Sequence, residues 1–301
     1  MENKLLSYWH HGEFTIQKRV GTEQRMAEIA PHFIRELMPQ QHRDFFENLS
    51  MLFIAYTNYK SQVQASMIFG FPGFITSPTE NELIINTQHS MGDAIQEQFY
   101  LGQRIGLLGL VFESKRRNRL NAVITDINQK YIRVKVLQSY GNCPKYIQRK
   151  TFRSNPQYGN FQRQSTIQLS IEHKQLISQA DTFFIASQFD DGIALNNRGP
   201  DMSHRGGEAG FIKLNNKGQI LIEDYVGNGF FNTLGNLLQN PLASLLFCDW
   251  KKGHILQLTV RGEILWDTQH QPNANKVTGL ICFTPLAVNS INNGLGYLEK
   301  E

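Results

Sequence analysis

Short apolar and aromatic runs, separated by turn residues, make up most of the chain from residue 49 onward. The runs are rich in Val, Ile, Leu and Phe, and Gly, Asn, Asp and Pro interrupt them. This pattern predicts antiparallel strands and hairpins. One helical segment interrupts each half, "GDAIQEQFYLGQ" in the first and "FFNTLGNLLQNP" in the second. Proline cannot continue a helix, so the second segment should end at Asn240.

The chain contains an internal repeat. A Phe-Ile-Ala triplet at residues 53–55 recurs at residues 184–186. A Gly-Phe-Ile triplet follows each copy, at residues 73–75 and 210–212, and an apolar run begins ten residues after each glycine. The shared order of elements predicts a duplication. Six or so strands and one helix in each half favour a small barrel over a parallel sheet.

The segment before the first barrel is helical by its apolar periodicity, with Pro31 and Pro39 as breaks. We expect this segment to pack across the first barrel. A further helix in "STIQLSIEHKQLISQA" should lead into the second barrel. The predicted divisions are an N-terminal helical segment at 1–48, a first barrel at 49–152, a polar linker at 153–165 and a second barrel at 166–301.

Composition narrows the functional classes. The formal net charge of +4 is mild and the basic run "SKRRNR" is short, so the sequence indicates no nucleic-acid partner. No apolar stretch is as long as a membrane span, and the N-terminus lacks the apolar core of a signal peptide, so we expect a cytoplasmic protein. The three cysteines are sparse and odd in number, which fits reduced thiols. No Cys or His set has ligand spacing, and we expect no metal.

The motifs resemble those of the pyridoxamine 5'-phosphate oxidase-like FMN-binding split barrels. The second half carries the likeness through "GFIKLNNKGQILIED" and "NGFFNTLGN". The first half, with "GFPGFI" and "GNCPKYIQR", is similar to the two-barrel branch of that family. The resemblance implies a mainly β (α+β) fold of two tandem six-stranded split β-barrels, with FMN at a barrel–barrel interface. The two halves could imitate the family's usual homodimer, and a homodimer of the whole chain stays open.

The resemblance also implies cofactor contacts, with one clear departure. The family's strand lysine matches Lys213, but Glu208 stands where its phosphate-binding arginine would be, and Arg205 could replace that arginine from a neighbouring loop. Two more family cations are replaced by Asn232 and Thr233. The cofactor-binding residues that we predict are Ser203, His204, Arg205, Lys213, Asn228, Asn232, Thr233 and Gln257.

The chemistry of these residues suits an anion. A phosphate needs N–H groups, hydroxyls and cations, and the turn at residues 227–229 precedes a helix whose first amides and Thr233 hydroxyl could meet one. The alternative is an ordinary hairpin end with Asn232 as a plain N-cap. His204 is the candidate acid or base, with a surface loop histidine as the alternative. Gln257 is a candidate because its spacing to Gly262 is the one that the family shares.

Two further segments carry candidate chemistry. The basic run at residues 114–120 is either a solvated hairpin or a phosphate contact at the barrel interface. In "GNCPKYIQRK", Pro144 predicts the first turn of a helix, with Lys145 and Arg149 as candidate anion contacts. A reactive thiol at Cys143 stays open.

These observations lead to an expected function. We expect an FMN-binding flavoprotein, an FMN-dependent oxidoreductase that acts on an unknown small molecule, with NAD(P)H as a candidate donor. The first alternative is a non-catalytic flavin- or haem-binding protein, such as a carrier, a sensor or a haem-handling factor. The second is an interaction scaffold whose cofactor site is degenerate. The fold by itself does not choose among them.

Overall fold

The computed structural model describes residues 8–90, 95–266 and 276–300 of the chain. The helices are α1 (His11–Arg19), α2 (Glu23–Phe33), α3 (Gln40–Glu47), α4 (Ile171–Gln179) and α5 (Asn232–Gln239). The strands of the first half are β1 (Met51–Thr57), β2 (Val63–Phe69), β3 (Ile75–Thr76), β4 (Glu82–Asn86), β5 (Arg104–Val111), β6 (Arg116–Ile127) and β7 (Tyr131–Asn142). The remaining strands are β8 (Phe152–Ser154), β9 (Gln162–Thr166), β10 (Thr182–Phe189), β11 (Gly199–Gly206), β12 (Ile212–Leu214), β13 (Ile220–Tyr225), β14 (Leu242–Asp249), β15 (His254–Leu265), β16 (Lys276–Asn292) and β17 (Tyr297–Glu299).

The two large sheets repeat one topology. The first has the order β2-β1-β5-β6-β7-β4-β3, and the second has β11-β10-β14-β15-β16-β13-β12. Both curl into split barrels, which confirms the mainly β tandem fold. Each path contains seven strands rather than six, because the Gly-Phe-Ile segments form short edge strands. These strands pair in the same register, Ile75 with Ile85 and Ile212 with Ile222, as the repeat predicts.

The helices of the second half form where the sequence predicts them. α5 ends at Gln239, directly before Asn240-Pro241. α4 begins after Ser170, whose hydroxyl accepts a hydrogen bond from the amide of His173 as an N-cap. In the first half, the described part of the predicted helix is a 3₁₀ turn at Ile95–Gln98, and the preceding residues 91–94 lie outside the described residues.

The N-terminal segment packs on the first barrel, as the sequence predicts, and it also extends to the second. α3 places Phe45 and Phe46 in the core of the first barrel. α1 instead lies against α5, where a Cβ on Gly12 would stand 2.2 Å from the carbonyl oxygen of Gly235. This close approach of two glycine backbones lets Ile16 reach the core of the second barrel.

A buried apolar layer joins the two barrels. At its centre Phe53 of β1 stacks on Phe184 of β10, with ring centroids 3.6 Å apart and planes 19° from parallel. Side chains from β2, β5, β11 and β14 surround the pair, including Met67 and Met202. Both aromatic rings are completely or almost completely buried. Because this layer resembles the inside of a domain, the barrels behave as two halves of one body.

The segment between the barrels contains short strands. β8 pairs with β17, and β9 pairs with β16 at the far side of the second sheet. The Nζ of Lys150 lies 2.8 Å from a carboxylate oxygen of Asp181 and 3.4 Å from one of Glu299, which ties the segment to the second barrel. The division of the chain into domains stays a prediction. Among the described residues, no helix has both the length and the apolarity needed to cross a membrane.

Replacing Phe53 by alanine should lower the free energy of unfolding by about 3–5 kcal/mol, because it removes a fully buried ring from the inter-barrel layer. Urea denaturation followed by circular dichroism measures the change. The matched control is Phe71→Ala, since the side chain of Phe71 is 79% exposed, and it should change stability by less than about 0.5 kcal/mol. Equal effects of the two substitutions would contradict a central role for the stacked pair.

Candidate functional site

An open cleft lies between the barrels, at one end of the apolar layer. β6 and β7 of the first barrel form one wall, and β11, β13 and the N-terminus of α5 form the other. The cleft, called the first cleft below, encloses about 110 Å³ and opens to solvent. Its walls carry three arginines and one histidine, which are Arg117, Arg119, His204 and Arg205. Two carboxylates, Glu223 and Asp224, also line the cleft, so its charge depends on which of these groups are paired.

Arg117 has no carboxylate partner among the described residues. Its Nη1 donates to Nδ1 of His204 at 2.9 Å, and its Nη2 lies 4.0 Å from Sγ of Cys143. Its Nε is buried and has no hydrogen-bond partner in the part of the chain that the structure describes. Burial lowers the pKa of the guanidinium from its ordinary value. A buried cation without a counter-charge is costly, and an anionic ligand would remove that cost.

His204 is neutral and presents a hydrogen-bond donor. Its burial, and then the charges of Arg117 and Arg205, hold its pKa well below the ordinary value. Because arginine can only donate, Nδ1 must accept the bond from Arg117, and the single proton of the neutral ring therefore sits on Nε2. Nε2 is buried and has no partner among the described residues. The cleft thus contains a second unused donor beside Arg117.

The other two arginines are already paired. Nη2 of Arg119 donates to Oδ1 of Asp201 at 2.7 Å, and its Nη1 donates to Oδ1 of Asn232 at 3.0 Å. Arg205 donates to Oδ1 of Asp224 at 2.5 Å. These two pairs offset most of the charge on their guanidinium groups. Arg117 consequently supplies most of the uncompensated positive charge in the first cleft.

The N-terminus of α5 forms one rim of the first cleft. Phe231 takes the N-cap position in the left-handed region (φ 61°) and makes no side-chain cap hydrogen bond. The amide of Phe230 is instead bound by Oδ1 of Asn228 at 3.1 Å. Thr233 lies in the first turn, and its hydroxyl donates to that of Ser203 at 3.3 Å. The first amides of a helix without a side-chain cap favour an anion.

Aromatic rings form the outer part of the first cleft. The rings of Tyr146 and Tyr225 stack with centroids 5.2 Å apart and planes 30° from parallel. The hydroxyl of Tyr146 donates to the carbonyl oxygen of Val226 at 3.1 Å, so this first-barrel residue is attached to the second barrel. Phe211 lies beside Tyr225, with 6.4 Å between the centroids. The cleft therefore combines a cationic floor with flat apolar faces.

A buried polar network supports the rim from behind. Glu13 of α1 accepts hydrogen bonds from the backbone N–H of His10, at 2.9 Å, and from Nδ2 of Asn232. Asn236 donates to the second carboxylate oxygen of Asp201 at 2.8 Å. Burial, and then the neighbouring Asp201, raise the pKa of Glu13 to about 8. The N-terminal segment thus holds the first turn of α5 in place through a carboxyl group that is protonated at neutral pH.

The structure brings most of the sequence-predicted site residues together. Two lie elsewhere: Lys213 is exposed on β12 and does not line the first cleft, and Gln257 donates from Nε2 to the carbonyl oxygen of Ala65 at 2.7 Å in a separate cleft. The predicted residues that do line the first cleft are Ser203, His204, Arg205, Asn228, Asn232 and Thr233.

The helix predicted from Pro144 is absent, since β7 runs to Asn142 and a turn follows it at residues 145–146. Tyr146 adopts a positive φ of 65°, which no helix accepts. The turn directs Ile147 into the inter-barrel layer, and that burial decides the local conformation. Cys143 lines the first cleft as a free thiol, whereas Lys145 and Arg149 are exposed and do not line it.

The sequence left two interpretations of the basic run at residues 114–120, a solvated hairpin or a phosphate contact. Arg117 and Arg119 are the members that enter the first cleft. They lie two positions apart on β6, and alternate residues of a strand share one face. The alternation of "RNR" within a predicted strand was the signal that could have separated these two side chains from a solvated hairpin.

Comparison with known proteins adds structural likenesses at low identity. No protein-family model matches the chain, and no curated protein matches it. An FMN-binding protein from Syntrophomonas wolfei is 9% identical, over 41% of this chain and 96% of that one, with a TM-score of 0.29. A pyridoxinephosphate oxidase family protein from Clostridium acetobutylicum, related to general stress protein 26, is 15% identical, over 44% and 92%, with a TM-score of 0.29.

The heme storage protein HutZ from Vibrio cholerae is 14% identical, over 38% of this chain and 87% of its own length, with a TM-score of 0.26. These solved structures include proteins of the kind that the sequence motifs resemble. Each of these alignments covers less than half of this chain. The proposed function therefore rests on the residues of the first cleft.

The contribution of Glu13 to stability should fall as pH rises between about 5 and 8. The folded protein keeps a proton on Glu13, whose pKa is raised to about 8, while the unfolded chain releases it near the ordinary glutamate value. The slope contributed by this one group is at most about 1.4 kcal/mol per pH unit. Glu13→Gln removes it, so the stability of the variant relative to the native protein should improve steadily over this range.

Urea denaturation at pH 5, 6, 7 and 8 measures the difference. His10, His42 and His204, whose pKa values burial lowers, contribute slopes of the opposite sign in both proteins. The difference between the two curves therefore reports Glu13 together with its 3.6 Å contact to His10. Glu28→Gln, at an exposed position of α2, is the control and should run parallel to the native protein. Parallel curves for Glu13→Gln as well would show that Glu13 is not protonated in the folded state.

Proposed function

We propose that the first cleft binds FMN by its phosphate and that the protein is an FMN-dependent oxidoreductase. The observation that carries this proposal is the pair of buried donors without partners, Nε of Arg117 and the Nε2–H of His204. Both groups lose hydration on burial and gain nothing from the described protein in return. A phosphate dianion offers acceptors to both.

The donor set fits a phosphate ester. Arg117 and His204 supply charge and a neutral N–H, and the hydroxyls of Ser203 and Thr233, which bond to each other, also line the cleft. The enclosed space of about 110 Å³ is several times the roughly 30 Å³ that one water molecule occupies in the liquid. That room suits a phosphate group, and the remainder of the nucleotide would extend along the open part of the cleft.

The aromatic part of the cleft favours a nucleotide with a flat ring system over free phosphate. Tyr146 and Tyr225 present ring faces of the kind on which planar conjugated systems stack. When bound, FMN would supply the electron transfer, and the chain's own residues bind it, orient it and limit its contact with water.

His204 serves in this proposal as a binding residue rather than as the acid or base considered from sequence. Its Nδ1 is occupied by the Arg117 donor, and its low pKa keeps a second proton off the ring. The same arrangement argues against haem ligation by His204, because iron would need the Nε2 lone pair where the proton sits. Flavin is therefore better supported than haem at this cleft. Oxidoreductase activity, a small-molecule substrate, an NAD(P)H donor, a cytoplasmic location and a homodimer stay predictions.

The visible absorption spectrum of the purified protein tests the cofactor. We expect flavin bands, either as purified or after addition of FMN and gel filtration, and bleaching by NADPH or NADH with return of colour in air if the protein turns over. A Soret band that His204→Ala abolishes would support haem instead. Absence of both chromophores after reconstitution would leave the scaffold alternative.

Arg117→Ala should weaken FMN binding about 10- to 100-fold, because the unpaired guanidinium is the main charge available to the phosphate. Quenching of flavin fluorescence on titration measures the dissociation constant. The matched control is Lys213→Ala, which removes an exposed cation outside the cleft and should leave affinity unchanged. A loss with Lys213→Ala but not with Arg117→Ala would place the phosphate elsewhere.

A further inference from the structure

A second cleft lies at the other end of the inter-barrel layer. It encloses about 250 Å³ and is formed by β2 of the first barrel with β9, β15 and β16 around the second. The first cleft is formed by β11, β6 and β7. In the repeated topology β2 corresponds to β11, β15 to β6 and β16 to β7. The second cleft therefore lies on strands equivalent to those of the first but at a different level along them: its β2 residue is Gln64, whereas the residues equivalent to 203–206 of β11 are 66–69.

Strand register assigns the equivalent residues one by one. In the first sheet, one row of paired residues crosses the strands β2, β1, β5, β6 and β7. Its members, in that order, are Met67, Phe53, Leu108, Arg119 and Tyr140. The same row of the second sheet runs through His204, Phe184, Leu246, Gln257 and Asn289. The stacked pair Phe53 and Phe184 anchors both rows at the barrel interface.

The repeat carries no charge at the positions equivalent to the first-cleft residues. Met67 stands where the first cleft has His204, and Gln257 stands where it has Arg119. Two positions before Gln257 on β15, Ile255 takes the place of Arg117. Met67 and Ile255 are buried in the inter-barrel layer, and Gln257 lines the second cleft.

The polar groups that remain in the second cleft are almost all uncharged. Among the described residues that line it, Arg163 alone carries a formal charge, and its side chain is exposed. The amide of Gln257 is already engaged with the carbonyl of Ala65. A phosphate placed here would lose its hydration without meeting a buried cation, which is unfavourable by several kcal/mol.

We infer that the duplicated chain binds its phosphate-bearing ligand in the first cleft only, with one ligand per chain. This inference rests on the proposed function, because it assumes that the first cleft binds FMN. Duplication supplied two equivalent sets of strand positions, and the presence of Met67, Ile255 and Gln257 in one set leaves only the first cleft with the charge that a phosphate requires.

Titration of the full chain with FMN, by isothermal calorimetry, tests the inference. We expect one equivalent per chain in the native protein. Arg117→Ile and His204→Met give the first cleft the residues that the repeat carries at the equivalent strand positions, and each should weaken this binding at least about 10-fold. Arg163→Ala is the matched control in the second cleft and should leave both stoichiometry and affinity unchanged.

The outcomes are distinct. Two equivalents in the native protein would overturn the inference while the proposed function stands. One full-affinity equivalent remaining in both first-cleft variants would overturn both, because the ligand would then bind outside the first cleft. A loss of binding in Arg163→Ala with retention in Arg117→Ile would assign the ligand to the second cleft. No binding of FMN to the native protein would overturn the proposed function and this inference together.

Discussion

The stacking of Phe53 on Phe184 is the contact on which the rest of the molecule depends. Each ring is the second residue of a register row that crosses five strands, so their contact fixes how one sheet lies against the other. Displacement of either ring would shift β6 relative to β11, which separates Arg117 from His204. The geometry of the first cleft is thus a consequence of packing in the apolar layer between the barrels.

The arginines of the first cleft differ in whether the protein itself compensates their charge. Arg119 donates hydrogen bonds to Asp201 and to Asn232. Asn232 in turn donates to Glu13, which connects Arg119 to the buried polar network. Removing a partner from such a network leaves a buried charge without compensation, so these residues hold the rim of the cleft in position. Arg117 lacks such a partner among the described residues, and this difference makes it the residue that a ligand anion would neutralise.

Duplication explains how the two halves could diverge in charge without loss of the fold. The barrel cores and the inter-barrel layer use similar apolar residues in both halves, and these residues carry most of the stability. The cleft residues lie at the ends of the layer, where a change from Arg to Ile alters charge but not strand pairing. The N-terminal segment adds a further asymmetry, because α1 packs on α5 of the second barrel while α3 packs on the first.

The sequence by itself determined the strand-rich class, the repeat, the positions of α4 and α5 and most of the residues around the helix rim. These features follow from local periodicity, capping and short-range spacing, which a chain carries in its order of residues. Tertiary structure alone decided that Lys213 is outside the cleft, that Gln257 lies in the second cleft, and that Pro144 begins a turn rather than a helix. It also decided that Arg117 meets His204, which is 87 residues away in sequence. Contacts of this kind depend on how two sheets pack face to face, and no local pattern encodes the register between them.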